Sequence, residues 1–252
     1  MPEADILSLS WPALAWCGAV IVTSYALRGS TGFGGAAAMP LLALVVPLKV
    51  LVPVWTLLGS ASSVTIVARD HRAIAGTALL RTLPSGIVGV AIGLAVFTAL
   101  DSSTLARGLG LVVIAYGLYG LWTTTRPPST GAVAPKFLAP LAGMLGGAVG
   151  TTFGTMASVF YAIYFDAIRL PKAQFRATMS AMILTLSVVR GLGYVVVGEF
   201  GRQALVAFAL ALPPMLLGIL IGDRFHAGMS ETVFRRLVGA VLVVSGAALV
   251  IR

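Results

Sequence analysis

Long apolar stretches fill this chain, broken at intervals by short polar or glycine-containing interruptions. The first is Trp11–Leu27, followed by a second short one, Phe33–Pro47. Longer stretches follow at Lys49–Val67, Leu79–Leu100 and Leu105–Thr123. A polar, proline-containing linker, Thr124–Lys136, then separates two halves. Beyond it the order repeats: short stretches at Phe137–Val149 and Phe153–Phe165, then long ones at Phe175–Val197, Leu205–Ile221 and Val233–Ile251. A helix that crosses a bilayer needs about 20 apolar residues, within a range of roughly 17–25. The pattern therefore predicts an all-α membrane protein. Each half is a short helix pair followed by three transmembrane helices, with the first half at residues 1–123 and the second at 137–252.

Composition removes the soluble alternative. Of 252 residues, 58% are apolar and only 10% charged, whereas a soluble domain carries about 25% charged residues to face water. The net charge of +9 would suggest nucleic acid in a soluble protein. Here the basic residues stand mostly singly between apolar stretches, so they read as a topology signal, and no nucleic-acid partner is expected. The single cysteine, Cys17, excludes an internal disulfide and a cysteine-based metal cluster. The opening MPEADILSLSWP has no basic n-region and does not read as a cleaved signal peptide.

The halves are related by more than order. A shift of 129 residues places Leu83-Pro84 on Leu212-Pro213, Gly89 on Gly218, Gly93 on Gly222, Gly110 on Gly239 and Gly117 on Gly246. If each short pair enters and leaves on one side, each half crosses an odd number of times and the repeats are inverted. That scheme puts eleven Lys and Arg on one side and four on the other. Two parallel halves would erase the bias. Since cytoplasmic loops are the basic ones, the inverted scheme is preferred, with a cytoplasmic linker and both termini outside the cytoplasm.

Inverted repeats interrupted at matching places are a plan of secondary transporters, whose binding site lies where the broken helices meet. The first break reads Arg28-Gly29-Ser30-Thr31-Gly32-Phe33-Gly34-Gly35, and the second reads Gly146-Gly147-Ala148-Val149-Gly150-Thr151-Thr152-Phe153-Gly154-Thr155. Glycines let backbone approach a ligand, hydroxyls add donors, and a restarting helix presents free N–H groups to an anion. Close helix packing is the alternative use of such glycines. Only Arg28 and Arg190 fall well inside apolar stretches, and all eight carboxylates map to loops or segment ends. A guanidinium at that depth needs carbonyls, water or an anion around it. Arg190 is the leading candidate for a substrate contact, with a carbonyl-bonded structural arginine as the alternative. Arg28 either faces the site or snorkels to an interface. Arg176 is a site candidate or a positive-inside anchor, and Trp55, Tyr161 and Tyr164 are candidate cavity walls. No acid or histidine lies at the midplane for proton coupling. No cofactor is expected, and sodium held at the breaks or uncoupled passage both stay open. No His-x-x-x-His pair, Ser-His-Asp set or deep acid pair points to an enzyme.

The break with its following proline, GSTGFGGAAAMPLL at Gly29–Leu42, resembles the signature of the sulfite exporter TauE/SafE family. Its degenerate second copy, GTTFGTMASVFYAIYF at Gly150–Phe165, and the repeated LPSGIVGVAIG and LPPMLLGILIG extend the similarity over nearly the whole chain. The resemblance implies a bacterial inner-membrane secondary transporter of two related halves that moves a small organosulfur anion, such as sulfite, a sulfonate or a sulfocarboxylate. The expected partners are that anion, membrane lipid and, in a homo-oligomer, a second copy. An anion-selective channel and a carrier of a small carboxylate are the competing readings.

Overall fold

The computed structural model describes residues 9–31, 35–123, 135–224 and 231–251. Among them it is built of helices: α1 (Trp11–Thr31), α2 (Gly35–Ala43), α3 (Leu48–Asp70), α4 (Gly76–Ala99) and α5 (Ser102–Thr123). After the linker come α6 (Leu138–Phe153), α7 (Ala157–Ala167), α8 (Lys172–Val196), α9 (Arg202–Arg224) and α10 (Glu231–Ile251). Among the described residues, four stretches are long and apolar enough to cross a membrane: Leu48–Ala73, Gly76–Ala99, Lys172–Val196 and Arg202–Gly222. Their outward faces carry bare hydrocarbon, such as Leu80, Val88 and Ile92 on α4 and Leu216, Leu217 and Leu220 on α9. Water would penalise such faces and lipid does not. The chain is an all-α membrane protein.

Each expected pair corresponds to two helices with other boundaries, and α1, at 21 residues, is as long as α10. α1 runs on to Thr31 and α6 to Phe153, so residues 28–31 and 146–153 are helical where the glycine content suggested a break. The reason is visible on α6: Gly143 and Gly147 are where α4 lies against it, and a side chain at Gly147 would overlap the Gly86 carbonyl oxygen. In lipid, where apolar surface has no drive to hide, small residues that let backbones touch are what hold helices together.

The chain forms two compact units that interleave the halves. The first comprises Met1–Leu51, Asp101–Thr130 and Ala209–Arg252, and the second comprises Val52–Leu100 and Gly131–Phe208. In the second unit, α4 packs along α6, and added methyl groups at Gly89 and Gly93 would overlap the carbonyl oxygens of Met144 and Ala148. In the first unit, the matching glycines of α9 do the same to α1: Gly218 meets the Val22 carbonyl and Gly222 the Ala26 carbonyl, each at 2.5 Å from the added carbon. The first unit also holds the pair α5 and α10. There an added methyl at Gly110 would lie 2.7 Å from the Gly246 oxygen, and one at Gly117 would lie 2.9 Å from the Gly239 oxygen. The glycines of each contact correspond under the 129-residue shift, and the carbonyls that Gly89 and Gly93 meet, those of Met144 and Ala148, stand 122 residues after those of Val22 and Ala26. In each unit the first helix of one half's pair therefore lies against the fourth helix of the other half.

At the start of α5, Asp101 caps the helix. Its carboxylate accepts the hydroxyl of Ser103, the hydroxyl of Thr104 at 2.6 Å and the backbone N–H of Ser103 at 3.0 Å. The Ser103 and then the Thr104 hydroxyl bonds hold this carboxyl well below the usual carboxylate range. A lowered folded value means stabilisation that is present above the unfolded carboxyl's titration and fades as pH falls. Asp101 is exposed, so the effect is small. The expected result is that acidification from neutral pH lowers the melting temperature of the wild type slightly more than that of Asp101→Asn.

Candidate functional site

The second break turns within three residues. α6 ends on Gly154, which takes a left-handed conformation (φ 71°) and returns its N–H to the Gly150 carbonyl at 3.0 Å. Such a C-terminal glycine is the usual helix stop. Met156 is left-handed as well (φ 68°), an uncommon state for a residue with a side chain. α7 then starts at Ala157, close enough that a methyl at Gly150 would lie 2.7 Å from the Ala157 Cβ. The carbonyl end of one helix and the N–H end of the next are thus brought to one place.

Arg190, on α8, is aimed at this place and is only 8% exposed. Its Nη1 donates to the Gly150 carbonyl at 2.7 Å and its Nη2 to the Ser187 hydroxyl at 3.1 Å. A cation at a helix C-terminus faces the negative end of the dipole, which favours it by about 0.3–2 kcal/mol depending on burial. One turn further along α8, the Tyr194 hydroxyl donates to the next carbonyl, that of Thr151. The Tyr194 ring packs edge-on against Phe97, centroids 5.2 Å apart. Arg190 and Tyr194 therefore hold consecutive carbonyls of α6. Thr152 adds a third tie by donating its hydroxyl to the Gly93 carbonyl of α4 at 3.3 Å.

Thr151 stands apart from these satisfied groups. It is fully buried, and its Oγ1 makes no hydrogen bond within the protein. A buried hydroxyl without a partner costs about 1–3 kcal/mol. Tyr161 of α7, also buried, has its ring against Gly146 one turn earlier on α6. Trp55 is buried on α3 beside Thr56, whose methyl faces Gly191 at 3.8 Å from an added carbon.

The structure thus gathers Gly150, Thr151, Thr152, Gly154 and Arg190, with Phe153 closing α6. It does not bring Arg176 there. That side chain is half exposed near the start of α8 and pairs with Asp70 at 2.6 Å, where α3 ends. Beside it the Thr178 hydroxyl accepts the Ala75 N–H at 2.9 Å. Arg176 is an end-of-helix ion pair, which corrects its candidacy as a site residue. Gly29, Ser30 and Thr31 form the last turn of α1, and Gly35 opens α2. Gly32, Phe33 and Gly34, and the side chains of Arg28, Ser30 and Thr31, lie outside the described residues. In the first unit an open groove of about 250 Å³ lies between α1 and α2, walled by Trp16, Val20, Leu27 and Leu41 with Thr23 and Ser24. Among the described residues its walls are mostly apolar, with Thr23 and Ser24 the hydroxyl-bearing exceptions. Sequence reasoning passed over Ser187 and Tyr194, although both share a face with Arg190 at helical spacing.

A probable sulfite/organosulfonate exporter TauE from Cupriavidus necator is 28% identical over 184 residues, covering 72% of this chain and 69% of the relative. No solved structure matches the chain. The model of the family described as sulfite exporter TauE/SafE matches residues 17–249, from within α1 to within α10. A match that spans both short helix pairs and the second break with Arg190 covers every element described above, and the chain belongs to the sulfite exporter TauE/SafE family.

Proposed function

We propose that this protein is a secondary transporter that moves a small organosulfur anion, such as sulfite, a sulfonate or a sulfocarboxylate, across the bacterial inner membrane by alternating access. The observation that carries the reading is Arg190, a guanidinium buried within an apolar helix and delivered to a helix break. A guanidinium offers five N–H donors in a fixed fork that matches the oxygens of a sulfonate or sulfite. The start of α7, the positive end of a helix dipole of the kind that receives anions, lies beside Gly150, and the Thr151 hydroxyl is a buried donor. The name of the Cupriavidus relative points to the same substrate class. The reciprocal glycine contacts and the one-sided distribution of Lys and Arg support the inverted arrangement of the halves, which alternating access uses.

The test is a thermal-shift screen of purified protein with sulfite, thiosulfate, alkyl sulfonates, matching carboxylates, and neutral and cationic analogues. A ligand at a hundred times its Kd stabilises the folded state by about 2.7 kcal/mol, so binding is easily read. Small anions should raise the melting temperature, organosulfur ones most. Counterflow of labelled sulfite in proteoliposomes then separates a carrier from a pore. If only neutral or cationic compounds stabilise the protein, the electrostatic basis of the reading is gone.

A further inference from the structure

We infer that Arg190 is a tethered cation occupying the position at the end of α6 where a coupling sodium ion would otherwise sit, so that anion binding needs no sodium. The inference rests on the anion-carrier reading above. In transporters with broken helices the N-terminal half-helix ends face the anion, while the carbonyls at C-terminal ends hold the sodium. Sodium, like other hard cations, is held by oxygens alone. Near the end of α6 two of those oxygens, the carbonyls of Gly150 and Thr151 beside Arg190, are already committed to N–H and O–H donors. The Gly150 carbonyl accepts both Arg190 Nη1 at 2.7 Å and the Gly154 N–H at 3.0 Å. The Thr151 carbonyl accepts Tyr194, and the Ser187 hydroxyl accepts Arg190 Nη2 at 3.1 Å. A sodium ion entering this shell would displace one of these donors and stand against a fixed positive charge. The guanidinium supplies the same balance to an arriving anion without itself crossing the membrane.

The experiment compares the sulfite Kd of the whole purified protein in sodium, potassium and choline chloride at equal ionic strength. The wild-type Kd should agree across the three salts within about twofold, whereas a coupled sodium ion would tighten binding by about 5–150-fold. Tightening of that size in sodium overturns the inference and leaves the carrier reading standing. No sulfite binding in any salt overturns the carrier reading, and this inference with it. Arg190→Ala supplies the second arm, because it vacates the carbonyl. Sulfite binding by the variant should be weak in choline and regain about fivefold or more as sodium is added, within the usual range of coupling between two bound ligands. A variant equally weak in all three salts shows that the position does not take sodium and overturns the inference. Arg190→Gln serves as the same test if the alanine variant does not fold.

Discussion

Replacing Gly147 by valine should prevent α4 and α6 from closing on each other, and Gly147→Ala should already lower the melting temperature in detergent. An added carbon there would overlap the Gly86 carbonyl oxygen and lie 3.0 Å from the Val90 amide nitrogen. Backbone atoms cannot rotate aside as a side chain can, so the helices must move apart. That separation also loosens the neighbouring approaches at Gly143, Gly89 and Gly93. Overpacking of this kind costs about 1–3 kcal/mol and sometimes more. Lipid offers no hydrophobic drive to restore the lost contact. Gly18 is the control. It lies within α1 with nothing within 4 Å of an added carbon, and Ala is preferred to Gly inside a helix by about 1 kcal/mol. Gly18→Ala should therefore melt at or above the wild type while Gly147→Ala melts below it. Equal melting temperatures for the two variants would show that the α4–α6 approach is looser than described.

The same glycine explains where sequence reading succeeds and where it stops. Hydropathy alone placed every long helix within a few residues, because the length of an apolar run is set by the bilayer and leaves little freedom. It also located two short pairs. It could not decide whether Gly146, Gly147 and Gly150 open a break or admit a neighbour, since that depends on α4, which is distant in sequence. The actual reversal at Gly154–Met156 includes a left-handed methionine, a conformation that no residue preference announces. Repeat matching identified Gly89 with Gly218, but not that each presses on the short pair of the other half. Arg176 was ambiguous for a similar reason, because its partner Asp70 lies on another helix. Arg190 was legible because a charge deep in an apolar run is costly wherever it falls. Its use of the Gly150 carbonyl was not, as helix ends become neighbours only on folding.

Arg190→Ala is expected to weaken sulfite binding by far more than any other single change in this unit. Truncating one member of a buried, hydrogen-bonded charge pair costs about 2–5 kcal/mol, and at about 1.4 kcal/mol per tenfold in affinity this is roughly 30-fold or more. The measurement is the sulfite Kd in sodium-free buffer, with the unliganded melting temperature recorded alongside. Arg190→Lys keeps the charge and loses the fork, so it should fall between alanine and wild type. Tyr194→Phe removes only the hydroxyl held by the Thr151 carbonyl and leaves the ring against Phe97. It should cost about 1 kcal/mol of stability, the worth of one ordinary hydrogen bond, with a much smaller change in Kd. The contrast separates two roles on one helix face. A residue that only braces α6 lowers the melting temperature and spares affinity, whereas a residue that meets the anion loses affinity beyond its effect on melting. If Arg190→Ala behaves like Tyr194→Phe in both measurements, Arg190 braces α6 without meeting the anion, and the charge that attracts the substrate lies elsewhere in the chain.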